Sequence, residues 1–237
     1  MSRTLFDQVT ASRRQLLASQ SGRFPRIVIT GGQRYVLLRG VFSPEAFWST
    51  RIFTSLLPFR SGQSFLEIGC GAGVTSVVAA LQGASRVVAV DINRHAVENT
   101  ALNGELHGVG DRLVAMRSNI FDALKVADRF DSIYWNTPFI WRPSTFRFRS
   151  QLERALFDPG YSLTSRFLRQ AHARLAEGGR LFLGFADFGD TRRFMEITRH
   201  YGYRVDLLGT GVGHEGRRVT FQLFELISRR DKPRMDR

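Results

Sequence analysis

Three glycines at alternate positions, Gly69, Gly71 and Gly73, follow the apolar run Phe65-Leu66-Glu67-Ile68 and lead directly into a second apolar run from Val74 to Leu81. A strand that enters a helix through such a loop offers backbone N–H groups with no β-carbon in the way, which suits a ligand lying on the main chain at a helix N-terminus. Eighteen residues beyond Gly73, the run Arg86 to Val90 ends in Asp91. In a doubly wound α/β fold an acidic side chain at that strand end accepts hydrogen bonds from ribose hydroxyls. The spacing is G-x-G-x-G, not G-x-G-x-x-G, and no G-x-x-x-x-G-K-[ST] occurs. A nucleoside ligand without a pyrophosphate or triphosphate is therefore expected.

A second polar position ends another apolar run. Ser132-Ile133-Tyr134-Trp135 leads into Asn136-Thr137-Pro138-Phe139, on the carboxyl edge that also carries the glycine loop and Asp91, where ligands of open α/β sheets bind. By itself an Asn-x-Pro at a strand end reads first as a turn. Other chemistries lack their residues. The five histidines show no H-E-x-x-H spacing, no G-x-S-x-G elbow occurs, and the only cysteine, Cys70, can form neither an internal disulfide nor a metal site. At an x position of the glycine loop, Cys70 is expected to pack beside the ligand and not to react.

The elements that must position these residues follow from periodicity and punctuation. Thr4 to Ser19 is apolar at Leu5, Val9, Leu16 and Leu17 and reads as an amphipathic helix. Arg26 to Thr30 and Tyr35 to Leu38 read as strands around Gly31-Gly32-Gln33. Ser43-Pro44 supplies an N-cap and a first-turn proline for a helix to about Leu57. From residue 63 strands and helices alternate, which argues a parallel sheet covered on both faces. Strands are expected at Ser64 to Ile68, Arg86 to Val90, Leu113 to Arg117, Ser132 to Trp135, Arg180 to Phe185, Arg204 to Leu208 and Thr220 to Leu226. Helices are expected at Val74 to Leu81, Arg94 to His107, Ser162 to Leu175, ended by Glu177-Gly178-Gly179 as a glycine C-cap, and Thr191 to Tyr201. The expected organisation is an N-terminal cap or lid over residues 1–60, a catalytic domain over 61–228 and a basic tail over 229–237.

Length and composition suit one such domain: 237 residues can bury a large core. No apolar run approaches the length of a membrane span, and Met1-Ser2-Arg3-Thr4 lacks the layout of a signal peptide. A soluble, cytoplasmic protein is expected. The formal charge of +13 would point to nucleic acid, but the cations are spread along the chain and Lys125 and Lys232 are its only lysines. An RNA partner is thus possible and not favoured.

Glu67-x-Gly69-x-Gly71-x-Gly73 followed by Asp91-Ile92-Asn93 resembles motifs I and II of the class I S-adenosylmethionine (SAM) methyltransferases. The resemblance implies a Rossmann-like, mostly parallel sheet of seven strands with the last antiparallel, helices on both faces and SAM as cofactor. It also implies that Gly69 to Gly73, with Cys70, pass under the methionine part, that Glu67 orients the loop, and that Asp91, with Ile92 beside it, binds the ribose diol. Asn119 and Ile120 of Ser118-Asn119-Ile120-Phe121-Asp122 stand where these families carry Asp-Leu-Phe, whose acid contacts the adenine amine; the Asn119 carbonyl can accept from it. Gly40-Val41-Phe42-Ser43 is similar to a segment of ribosomal RNA guanine-N2 methyltransferases, with a related one in release-factor glutamine N5-methyltransferases, and implies that Phe42 closes over the SAM pocket.

Asn136-Thr137-Pro138-Phe139 resembles the (D/N/S)-P-P-(Y/F) motif of methyltransferases acting on amide or exocyclic amino nitrogens. The resemblance implies that Asn136 and the Thr137 carbonyl accept hydrogen bonds from the target amine, with Pro138 shaping the turn and Phe139 as a platform. Thr137 departs from the pattern; it is expected to loosen the backbone and to add a hydroxyl to the pocket. The following stretch interleaves aromatic residues and arginines, and Trp141 or Tyr161 could offer a sulfonium a cation–π contact. The expected activity is methyl transfer to a nitrogen of a small molecule or amide, with no metal. The alternatives are cyclisation of SAM to azetidine-2-carboxylate and methylthioadenosine, chemistry that members of this fold perform in natural-product pathways, and methylation of an RNA amino group.

Overall fold

The computed structural model describes residues 3–214 and 217–229, with side chains from residue 9 onward. The expected basic tail lies outside these residues except for Arg229. Chain order is α1 (Arg3–Ser19), β1 (Arg26–Thr30), β2 (Gln33–Leu37), α2 (Trp48–Leu56), β3 (Ser64–Ile68), α3 (Val74–Leu81), β4 (Arg86–Asp91), α4 (Arg94–Leu106), β5 (Leu113–Arg117) and β6 (Phe130–Asn136). There follow β7 (Ile140–Arg142), β8 (Phe157–Pro159), α5 (Ser162–Ala171), β9 (Leu175–Ala186), α6 (Thr191–His200), β10 (Tyr203–His214) and β11 (Arg218–Ser228).

Continuous apolar runs become strands buried on both faces. Phe65 to Ile68 and Val87 to Val90 are buried throughout or nearly so, as strands at the centre of a parallel sheet must be. The seven-stranded sheet runs β10-β11-β9-β6-β3-β4-β5. Pairs β3 with β4, β3 with β6, β4 with β5 and β6 with β9 are parallel, and β11 is antiparallel to both its neighbours. The fold is thus the expected Rossmann-like one, with β1 and β2 as a separate hairpin. The carboxyl ends of β3, β4, β5 and β6 meet along one edge.

Three expectations about elements are corrected. The helix from Ser43-Pro44 starts late: the Ser43 carbonyl accepts from Phe47 N at 3.2 Å, closing a single turn, and Phe47 is extended. Its buried ring stacks on Phe42 at 4.3 Å, which takes the chain out of helix until Trp48. Gly178 caps no helix. α5 ends in a 3-10 turn at Arg174, and Gly178 lies in an irregular stretch of β9 between the pairs Phe130–Leu175 and Ser132–Arg180. β10 runs on to His214 because Gly209, Gly211 and Gly213 are a packing stripe, not a loop. A β-carbon there would come within 3.0, 2.5 and 2.6 Å of Leu56, Ile52 and Trp48, so the glycines let one face of α2 lie on the strand. The short parallel pair of β7 and β8 was not expected.

Candidate active site

The glycine loop is a built turn. Gly69, Gly71 and Gly73 all have positive φ, from 54° to 80°, a region that other residues enter only with strain. Gly69 N and Cys70 N donate to the Val90 carbonyl at 2.7 and 3.1 Å, tying the loop to the next strand. Gly69, Cys70 and Gly71 line a cleft at the sheet edge, whereas Gly73 does not. Its role is spacing. A β-carbon on Gly73 would lie 2.9 Å from the Thr100 Cα of α4, so Gly73→Ala is expected to destabilise the fold by about 2 kcal/mol or more, through forced positive φ and overpacking. Urea denaturation checks this; a midpoint equal to the parent's would contradict it.

Two buried carboxyls hold the loop. Glu67 is almost wholly buried and accepts from Ser76 N at 2.9 Å and Ser76 Oγ at 2.5 Å, which serves an otherwise orphaned N–H in the first turn of α3. Burial pushes its carboxyl up to about 8, with Asp91 adding to the shift and the Ser76 and Thr75 hydrogen bonds opposing it. Asp91 accepts from Gly71 N at 3.1 Å and Asn93 N at 2.8 Å; burial raises its carboxyl and these backbone donors counter the rise. Asn93 caps α4 by accepting from His95 N and reaches back with Nδ2 to the Gly40 carbonyl at 2.7 Å, drawing Phe42 to the rim of the cleft. Burial holds the Cys70 thiol well above its ordinary range, and it accepts from Thr100 Oγ1. A neutral buried thiol does not act as a nucleophile.

Ile92, Asn119 and Ile120 line the same cleft. Ile120 has φ 59°, strained for a β-branched residue, and Ser118 Oγ secures it by donating to its carbonyl at 2.9 Å. At the end of β6, Trp135, Asn136 and Pro138 complete the floor. Asn136 Nδ2 donates to the buried Ser49 Oγ at 3.3 Å.

Residues 33–202 match the model of the Methyltransferase small domain. The chain belongs to that family. It is 29% identical over 167 residues to the release factor glutamine methyltransferase of Rhodopirellula baltica, covering 66% of this chain and 56% of that one. It is 32% identical over 151 residues to the ribosomal RNA small subunit methyltransferase C of Chromohalobacter salexigens, covering 62% and 40%. The chain thus spans about half the length of these two relatives. A T. thermophilus 16S rRNA N2 methyltransferase, solved with AdoMet and guanosine, superposes with a TM-score of 0.58 at 22% identity over 86% of this chain and 50% of that one, a likeness in fold.

Several residues of the chain stand elsewhere than expected. Thr137 does not line the cleft, and its hydroxyl donates to the Gly184 carbonyl at 2.8 Å, bracing β6 on β9. Phe139 is no platform: its buried ring meets Phe188 at 5.0 Å and Phe185 at 6.1 Å, outside the cleft lining. Tyr161 is buried, with its hydroxyl donating to the Phe139 carbonyl at 2.8 Å and accepting from Asp190 N at 2.9 Å. Trp141 lies under the Arg193 guanidinium, 4.6 Å from its ring. Neither Tyr161 nor Trp141 lines the cleft. The aromatic surface comes from Phe42 and Trp135 instead, and the outer wall from the 3-10 turn Gln151–Ala155, just past the stretch of interleaved aromatic residues and arginines.

Sequence reasoning also missed a polar clamp. Asn103 of α4 accepts from Val36 N and donates to the carbonyls of Val36 and Ala72, at 2.8 to 2.9 Å. Asn99, one turn earlier, accepts from Leu38 N and donates to the Val36 carbonyl. Two fully buried amides thus stitch β2 of the hairpin and the glycine loop to one helix. The 99/103 spacing, one helical turn, was the available signal.

Proposed function

We propose that the protein is a SAM-dependent methyltransferase and that it transfers the SAM methyl group to a nitrogen of a small molecule or amide. The observation that carries this is Asn136: it lines the cleft, and its Nδ2 is engaged by Ser49, so its carbonyl oxygen is the end left to accept from a target N–H. A neutral acceptor can hold the amine in place without taking its proton. The C–S bond breaks as the N–C bond forms, S-adenosylhomocysteine (SAH) leaves, and solvent takes the proton. Positioning supplies the acceleration. The relatives' names support nitrogen as the acceptor, glutamine in one and guanine N2 in the solved structure. Incubation with methyl-labelled SAM tests it. SAH formed only with an amide or amine present is expected. Methylthioadenosine from SAM alone would put cyclisation in its place, and rapid labelling of ribosomal or transfer RNA at physiological salt would move the acceptor to RNA.

In the same proposal the methionine part lies on Gly69 to Gly71, the ribose on Asp91 and the adenine between Ile92 and the Asn119–Ile120 turn, which puts the cationic end of SAM near Glu67. At pH 7 the raised Glu67 is mostly protonated, and a neighbouring cation favours its ionised form. SAM binding is therefore expected to release protons at pH 7. Binding enthalpies should vary with buffer ionisation enthalpy in the parent and not in Glu67→Gln; equal dependence in both would contradict this. A carboxyl raised by folding stabilises fully below about 4.5 and loses that contribution as pH rises to about 8. Glu67→Gln should flatten the fall in stability across that window.

A further inference from the structure

The chain between β7 and β8 is clamped at its base by their parallel pairing, Ile140 with Phe157 through Arg142 with Pro159. Four of the five residues in its 3-10 turn, Gln151, Leu152, Arg154 and Ala155, line the cleft. Gln151 reaches the carbonyl of Ile92, next to Asp91, at 3.5 Å. The fifth residue turns away. Glu153, its side chain 4% exposed, accepts from Arg13 Nε at 2.7 Å, Arg13 Nη2 at 3.0 Å and Arg149 N at 3.0 Å. The Arg13 guanidinium also lies over the rings of Phe146 and Phe157, at 5.1 and 5.7 Å. Arg13 belongs to α1, which precedes residue 33, where the family match begins.

We infer that Arg13 and Glu153 are positioning residues, through which the N-terminal helix latches the 3-10 wall over the nucleoside half of the SAM site and sets the residence time of the cofactor. A bidentate pair fixes direction as well as distance. Removing one partner leaves the other charge buried without its counterpart, so the turn must shift to solvate it. The shift moves four cleft residues at once. Cofactor release then quickens while encounter, governed by diffusion and orientation, changes little.

The test is SAH dissociation from the full chain, followed by stopped-flow tryptophan fluorescence, with thermal unfolding of every variant in parallel. Arg13→Gln and Glu153→Gln are each expected to speed release about tenfold or more, with association within about twofold of the parent. The double variant should release SAH no faster than the faster single, because the two groups act as one unit. Arg13→Lys, which keeps the charge but not the two-pronged contact, should fall between parent and Arg13→Gln. It carries the test should a glutamine variant fail to fold. Release within about twofold of the parent in the folded single variants, or in Arg13→Lys where they do not fold, overturns the inference, whatever happens to thermal stability; so does a double variant whose effect is the product of the singles. The inference rests on the SAM reading, and a parent protein that bound no SAH would fail that reading before any variant was compared.

Discussion

Asn136→Ala is expected to cut turnover by about two orders of magnitude or more, the scale of one positioned polar group lost from an active site, while SAM affinity stays within a few-fold. The reason lies in where the interaction acts. The proposed acceptor is the Asn136 carbonyl oxygen, and a bond to the reacting amine counts most when that nitrogen is in line with the methyl group, so its loss falls on kcat and not on cofactor binding. Ser49 makes a second, smaller test. Its hydroxyl accepts from Asn136 Nδ2, so Ser49→Ala should free the amide to turn and lower kcat by less than Asn136→Ala does. Steady-state kinetics with SAM saturating, beside calorimetry of SAM binding, separates the two quantities. An Asn136→Ala protein that turns over at the parental rate would make Asn136 a turn residue and nothing more.

The second large effect is expected at Asp91. Asp91→Ala should weaken SAM binding by about 1–3 kcal/mol, the cost of losing a hydrogen-bonding group from a buried site. Two losses combine. The proposed partner of the ribose hydroxyls disappears, and Gly71 N and Asn93 N lose the oxygens that accept from them in the free protein. Asp91→Asn keeps the shape and one carbonyl oxygen and should weaken binding less. Unchanged affinity in a folded Asp91→Ala protein would remove Asp91 from the site.

The centre of the sheet was readable because its physics is local. A strand covered on both faces needs an unbroken apolar run, and a turn with positive φ needs glycine, so β3, the loop to Gly73 and α3 stand where the residues place them. Asp91 and Asn136 were readable as the polar ends of such runs. What escaped depends on partners far away in the chain. Gly209, Gly211 and Gly213 look like a loop until α2 is seen lying on them. Asn99 and Asn103 look like a solvated helix face until β2 occupies it. Phe139 looks like part of the site, yet Phe185 and Phe188, on and just after β9, draw it into the core. The Arg13 partner of Glu153 lies 140 residues away in sequence, beyond the reach of any local pattern.

A crystal structure of the protein with SAH bound tests the central claim most directly. The ribose hydroxyls are expected on the Asp91 carboxylate, the methionine part over Gly69 to Gly71, the adenine between Ile92 and Ile120, and the sulfur facing Asn136. SAH found elsewhere, or seated in the cleft with its ribose away from Asp91 and its sulfur turned from Asn136, would contradict the account.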